Sequence, residues 1–244
     1  MLAEILLSII QSATEFLPVS SSGHLALFSN LASKPDIFFF TVLHLASLFA
    51  VLVFTRKEVI ELLSFKKSAR PIWLYLILAT IPAAIFGFFF KDLIEKTFSS
   101  YLFLSLAFAF TSLILFLTKF AKKNSTLNAK NSLLIGIFQV LALFPGVSRS
   151  GMTISSAMFL GIEKERAAKF SFLLLIPLVL GAVILEFGKA YFSISLVISF
   201  IITFLASILF LNLLMKIILK NRFWLFGFYT LALSIISFLL YLKG

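Results

Sequence analysis

"QSATEFLPVSSSGH", residues 11–24, interrupts an apolar stretch with a carboxylate, a proline, three consecutive serines, a glycine and a histidine. The chain around it is membrane-grade. Over 244 residues it is 61% hydrophobic and only 13% charged, with a mean hydropathy of +1.12. A soluble domain of this size carries far more polar surface, so the composition points to an all-α polytopic membrane protein. There is no cysteine, which excludes a disulfide framework and thiolate metal sites. The first apolar run lacks a basic leader and a convincing small-residue cleavage site, so it reads as part of the protein rather than a removable signal. The net charge of +11 does not imply nucleic acid, because the basic residues sit in short connections between apolar runs.

Six runs are long enough to cross a bilayer as helices: about 37–55, 71–90, 100–120, 167–187, 191–215 and 223–242. Two further apolar regions, 2–33 and 131–160, are each broken near the centre, by "FLPVSSSGH" and "FPGVSRSGMT". Half-helices joined by a polar tip read as re-entrant hairpins, with irregular backbone tolerated because it lines a cavity or is buried in protein. The two breaks align at an offset of 128, pairing Gln11 with Gln139, Phe16 with Phe144, Val19 with Val147, Ser20 with Ser148, Ser22 with Ser150 and Gly23 with Gly151. The reading is a single integral-membrane domain, 1–244, made of two repeats of one hairpin plus three spans, about 1–125 and 126–244. Three crossings reverse the side, so the repeats are inverted, and inverted repeats with paired broken helices place a site near the midplane.

Fifteen basic residues fall on one side of this arrangement, among them Arg56, Lys66, Lys67, Lys119, Lys122, Lys123, Lys164, Lys216 and Arg222. The other side has five: Lys34, Lys91, Lys96, Lys189 and Lys243. The positive-inside rule then puts both termini outside. The first hairpin enters from the outer face and the second from the cytoplasm.

The second half of each hairpin begins near "SSSG" or "SRSG". A helix start carries free N–H groups and partial positive charge. Two starts facing each other, with Gly146 allowing close approach, make an anion cradle. Arg149 adds a planar fork suited to phosphate oxygens, and Ser148, Ser150 and Thr153 add hydroxyls. A structural Arg149–Glu15 pair is the plainer alternative. An ionised side chain at midplane depth costs about 2.5–3.5 kcal/mol or more, which favours function for Arg149 and Glu15. His24, across the break from Glu15, completes a carboxylate, hydroxyl and imidazole set capable of proton transfer and nucleophilic attack. Leu143 and Met152 stand at the matching positions of the second hairpin, so one hairpin carries the chemistry and the other the charge. Gln11 shares a helix face with Glu15. Gln139, Ser20 and Ser22 are supporting residues, and His44 reads as a hydrogen-bond support for a hairpin. Asp36 and "EKER" at 163–166 flank helices at the membrane surface, and Glu58 and Glu61 partner nearby lysines.

"QSATEFLPVSSSGH" resembles the E/Q-x-x-x-E-F-L-P-V-S-S-(S/T)-G-H motif of the undecaprenyl pyrophosphate phosphatase family of bacitracin-resistance type. "FPGVSRSGMT" resembles its P-G-x-S-R-S-x-x-T motif, and the likeness continues through "FLGIEKERAAKFSFLLLIPLVLGA" at 159–182. The resemblance implies a multi-pass enzyme of the bacterial cytoplasmic membrane, with its active site open to the outer face. Such an enzyme removes the terminal phosphate of a C55 polyprenyl pyrophosphate and so recycles the lipid carrier for cell-wall synthesis. By motif, Gln11, Glu15, Ser21 and His24 fall on the catalytic set, and Ser148, Arg149 and Thr153 on the pyrophosphate-binding set. Gln11 takes the less acidic option of its motif. Ser21 is then the candidate nucleophile, with His24 as base and later acid, although attack by His24 or by water activated at Glu15 stays open. Glu15 orients His24 or holds Mg²⁺ or Ca²⁺ against the phosphates, and no organic cofactor is called for. The partners are the lipid substrate and membrane lipids, with a homodimer left open. The rival reading is an inverted-repeat transporter or flippase for a phosphorylated lipid or anion. It explains the anion site but gives the Glu15–His24 pair no work.

Overall fold

The breaks at residues 17–20 and 142–148 organise the molecule. The computed structural model describes residues 2–29, 37–64, 70–186 and 192–243. Lys34, Asp36, Lys66, Lys67 and Lys189 lie outside the described residues. Among those described, every regular element is helical. The first broken region forms α1 (Leu2–Phe16) and α2 (Ser21–Ser29), and the second forms α8 (Ala129–Leu141) and α9 (Arg149–Phe159). Pro18 disfavours helical backbone at Leu17 and so ends α1. Ser20 Oγ then accepts the Gly23 N–H at 3.2 Å and caps α2, as Ser148 Oγ accepts the Gly151 N–H at 3.1 Å and caps α9. The matched residues therefore do matched work.

The remaining elements are α3 (Ile37–Phe54), α4 (Arg56–Leu63), α5 (Arg70–Phe89), α6 (Lys91–Thr97), α7 (Tyr101–Leu117), α10 (Lys164–Leu173), α11 (Leu175–Glu186), α12 (Ile194–Leu219) and α13 (Phe226–Lys243). Five helical stretches are long and apolar enough to cross a membrane: α5, α7 with its 3₁₀ extension, α10 with α11, α12 and α13. The count is six if α3 is joined to α4, which turns away from it by 85°. α4 carries Arg56, Lys57, Glu58 and Glu61, so its charge explains why it leaves the apolar direction. Within the described residues, the six apolar runs of the sequence fall on helices. Their ends moved where charged residues extend a helix, as Lys164, Glu165 and Arg166 do for α10, and the short α6 was not foreseen.

Helices in lipid gain nothing from burying one apolar side chain against another, so close packing and interhelical hydrogen bonds hold them together, at about 0.6 kcal/mol per bond. Small and hydroxyl residues mark each contact. Gly136 of α8 lies so close to α5 that an added Cβ would sit 2.6 Å from Ala79 O. Ser12 of α1 donates to Thr203 O of α12 at 3.2 Å. Between α7 and α13, Ser105 Oγ donates to Ser234 O at 2.9 Å and Ser234 Oγ returns a bond to Ser105 O at 2.8 Å. Outward residues such as Leu106, Leu113, Leu205, Leu209 and Leu239 are exposed, as lipid-facing positions are.

The two hairpin tips touch. A Cβ on Gly23 would lie 2.8 Å from Gly146 Cα and N, and one on Gly151 would lie 3.4 Å from Pro18 Cβ. Gly146 N–H donates to Ser20 Oγ at 3.1 Å, and Ser150 Oγ donates to Leu17 O at 3.3 Å. Left-handed backbone occurs at Ser20 (φ 66°) in the first tip and at Gly146 (φ 92°) in the second, where glycine adopts it without strain.

Candidate active site

Glu15 sits in the last turn of α1, buried, facing the start of α9. Its Oε1 accepts from Arg149 Nη2 at 2.8 Å. Its Oε2 accepts from Ser21 Oγ at 3.0 Å and from Gln11 Nε2 at 3.1 Å. One carboxylate thus joins the two hairpins, which are 134 residues apart at this contact. Arg149 is braced from its other side, where Nη1 donates to Ser171 O of α10 at 3.0 Å.

His44 of α3 completes the cluster. Its Nδ1 lies 2.7 Å from Phe40 O, and its Nε2 lies 3.1 Å from Gln11 Nε2 and 3.3 Å from Glu15 Oε2. The Phe40 carbonyl can only accept, so Nδ1 carries a hydrogen, and Nε2 is shared between the Gln11 amide and the Glu15 carboxylate. With Nδ1 turned to a carbonyl, Nε2 is the ring nitrogen that faces the Glu15 carboxylate. A proton arriving on Nε2 would find Glu15 Oε2 as its acceptor.

Glu15, His44 and Arg149 line a cavity of about 380 Å³ with Ser20, Ser21, Ser22 and Ser148, while Phe40, Val147, Leu175, Leu178, Val179 and Ala182 supply apolar walls. With Gly23 and Gly151 capped, the N–H groups of Ser21, Ser22, Arg149 and Ser150 have no intrahelical acceptor. They and the guanidinium suit an oxyanion of phosphate type. The cavity runs toward the ends of α3 and α11 that are remote from Arg56 and Lys164.

The other residues singled out in the sequence are placed differently. His24 does not contact Glu15 or Ser21 and does not line this cavity. Its Nδ1 lies 2.8 Å from Ser20 O, and its Nε2 lies 2.8 Å from Tyr229 OH of α13, with the two rings stacked. The expected Glu15–His24 contact is therefore replaced by Glu15–His44. The turn at Leu17–Ser20 directs α2 so that His24 meets α13, where a phenol satisfies its second nitrogen. Ser150 is buried and ties the tips through Leu17 O. Thr153 donates to Arg149 O at 2.9 Å and meets Ser171 Oγ at 2.6 Å, which makes it a buttress for Arg149. Gly146 contributes backbone to the tip contact. Gln139 donates to Ala79 O at 3.2 Å, away from the cluster. Tyr229 and Ser171 were not anticipated. The signal for Tyr229 was a phenol inside a span that must find a partner.

Among the described residues no group of three or more His, Cys, Asp or Glu side chains could cage a metal ion. A divalent cation shared between one carboxylate, substrate oxygens and water does fit. Gln11 Oε1, one turn from Glu15, is buried and without a hydrogen-bond partner among the described residues, leaving an oxygen donor next to the carboxylate.

Residues 4–236 match the family model described as bacitracin resistance protein BacA. The chain belongs to this family. Similar relatives carry the name undecaprenyl-diphosphatase. The one from Thermosipho africanus is 43% identical over 242 residues, covering 96% of this chain and 98% of the relative. That from Methanococcus vannielii is 42% identical over 240 residues, with 95% and 96% covered. That from Thermotoga maritima is 41% identical over 245 residues, with 97% and 99% covered.

Proposed function

We propose that this BacA-family chain is an undecaprenyl-diphosphatase, a membrane hydrolase that cleaves the terminal phosphate from polyprenyl pyrophosphate and returns the monophosphate carrier to cell-wall synthesis. The observation that carries the reading is the Glu15 carboxylate. It holds the candidate nucleophile Ser21 on one oxygen and the phosphate-binding candidate Arg149 on the other, between two converging helix starts.

In the proposed reaction Arg149, Ser148 and the free N–H groups hold the pyrophosphate and stabilise charge growing on its equatorial oxygens. Ser21 Oγ attacks the terminal phosphorus, and the bond to the polyprenyl monophosphate breaks. The serine proton moves to Glu15 Oε2, at 3.0 Å, with His44 Nε2 positioned to receive it next. Water then attacks the phosphoserine, releasing inorganic phosphate and restoring the hydroxyl. His24 acts in the cavity only by turning away from Tyr229; as placed, its ring holds α2 against α13. Glu15 and the Gln11 carbonyl are the residues that would hold Mg²⁺ or Ca²⁺, which neutralises phosphate charge when bound. The prenyl tail leaves past the apolar face of α11.

For the architecture we infer two inverted repeats of one re-entrant hairpin and three spans. Reciprocal bonds between Ser105 and Ser234, 129 residues apart, are what a two-fold relation between halves produces. The packing of α1 on α12 is likewise answered by that of α8 on α5. By the charge count both termini lie outside the cytoplasmic membrane and the site opens outward. The same symmetry favours a second reading, a carrier for phosphorylated lipid. Phosphate release from polyprenyl pyrophosphate by detergent-purified protein, with no membrane gradient, separates the two. Release that needs Arg149 supports the enzyme; no release in detergent, with transport in vesicles, supports the carrier.

A further inference from the structure

We propose a second anion site at the basic end of the molecule, built to hold the phosphate headgroup of an acidic membrane phospholipid. It lies between the end of α7, the segment 121–128, the start of α10 and the turn joining α12 to α13. Two cavities of about 250 and 380 Å³ adjoin here and share Ala121, Met158, Lys164 and Asn221 as walls.

The site is constructed rather than a loose run of lysines. Segment 121–128 is pinned, since the N–H groups of Asn124 and Ser125 both donate to Gly161 O, at 3.1 and 3.0 Å. Asn131 Nδ2 holds Thr126 O at 3.1 Å from below. Gly161 suits this position because its φ of +80° is left-handed backbone that side chains rarely adopt.

The charges do not cancel. The two carboxylates at the site are already used: Glu163 pairs with Lys123 at 2.9 Å, and Glu165 pairs with Lys169 at 2.9 Å. Lys119, Lys122 and Lys164 have no carboxylate partner among the described residues. Lys119 Nζ instead stands 4.9 Å above the Trp224 ring. Beneath this rim the floor is apolar and buried, with Met158, Ile162, Ile218 and Phe223. A cationic rim over an apolar floor, with a tryptophan at its edge, matches an amphiphile that has a phosphate head. A free anion would have no use for the floor. This site is separate from the Glu15–Arg149 cluster, and the inference does not rest on the proposed reaction.

Native mass spectrometry of the detergent-purified full chain, titrated with phosphatidylglycerol or phosphatidylcholine, tests it. Each lysine near an anionic lipid contributes roughly a fivefold factor in affinity. We expect phosphatidylglycerol to be retained at least about tenfold more tightly than phosphatidylcholine, and Lys119→Gln/Lys122→Gln/Lys164→Gln to abolish the preference while phosphate release is unchanged. If the triple variant does not fold, Lys122→Glu, at an exposed position, must still weaken phosphatidylglycerol binding about fivefold or more. Equal retention of the two lipids, or an undiminished preference in the variants, overturns the proposal. Displacement of bound phosphatidylglycerol by millimolar inorganic phosphate would also overturn it, since the site would then be one for free anions.

Discussion

Glu15→Gln is the most informative single change. It removes one charge from an ion pair with a 2.8 Å contact, whose side chains are 7% and 15% exposed. With an effective dielectric near 20, two unit charges at that distance attract by roughly 6 kcal/mol before desolvation is counted. Because Arg149 stays buried without its counter-charge, the net loss should be about 3–5 kcal/mol. An amide also has one acceptor oxygen where the carboxylate has two, so it cannot serve Arg149, Ser21 and Gln11 together. By the scaling for chains of this length, thermal unfolding in detergent should fall by about 6–20 °C. Arg149→Gln alone should cost a similar amount. The double variant should regain most of the loss, since replacing a buried pair as a whole is often close to neutral. Phosphate release should stay absent in all three variants. Tryptophan fluorescence through the melt and a phosphate-release assay read the two quantities separately. A Glu15→Gln protein within about 1 kcal/mol of the parent, or losses that simply add in the double variant, would refute the coupling of these residues across the hairpin tips.

Arg149→Lys should recover only a small part of the turnover lost in Arg149→Ala, because a point charge cannot bridge Glu15, Ser171 O and a phosphate together; parity with the parent enzyme in a steady-state assay would contradict the fork geometry. His44→Ala should lower kcat about 10- to 100-fold with little change in KM, whereas Tyr229→Phe should leave kcat within a few-fold, and the reverse ranking would show that His24 is the working imidazole. Gly23→Ala should be destabilising by about 1–3 kcal/mol or more, since its Cβ would meet Gly146 backbone at 2.8 Å, while Gly181→Ala, with nothing within 4 Å, should be neutral or better in the same melt. In the cysteine-free chain, Ser22→Cys should react with an impermeant thiol reagent from the outer face and be protected by polyprenyl pyrophosphate; labelling from the cytoplasmic side alone would reverse the assigned orientation.

Much of the site was legible because membrane burial makes polar residues conspicuous. Glu15 and Arg149 stand out in apolar surroundings, and each had to find a partner of opposite charge. The starts of α2 and α9 are readable from the serine and glycine breaks at residues 20–23 and 148–151. Thr153 reads in the sequence as a pyrophosphate-binding hydroxyl, and in the structure it donates to Arg149 O and meets Ser171 Oγ, since a helix hydroxyl can face a ligand or brace a neighbour. The contact with Ser171, on another helix, has no signal along the chain. His24 and Glu15 flank one break, so the sequence alone reads them as a pair. Nearness along the chain does not fix direction in space, and the turn at Leu17–Ser20 sends His24 toward Tyr229.

What the sequence determined by itself is what local rules control: run length, helix breakers and charge placement. An apolar run of about 20 residues must be helical in lipid because its backbone has no other hydrogen-bond partners. Pro18 and Pro145, with the serines and glycines that follow them, mark the two breaks, whereas Pro82 alone leaves α5 unbroken. The family likeness rests on the same contiguous motifs. The tertiary structure alone decided which imidazole reaches the carboxylate. Gln11 and His44 are 33 residues apart, and Glu15 and Arg149 are 134 apart. Such contacts depend on how α3 and α9 seat against α1, and that seating is set by small-residue approach and hydrogen bonds worth tenths of a kcal/mol to about 1 kcal/mol each. Preferences that weak have no local signature. They become decisive only when summed over the whole bundle, which is why His24 turned to Tyr229 and His44 took its place beside Glu15.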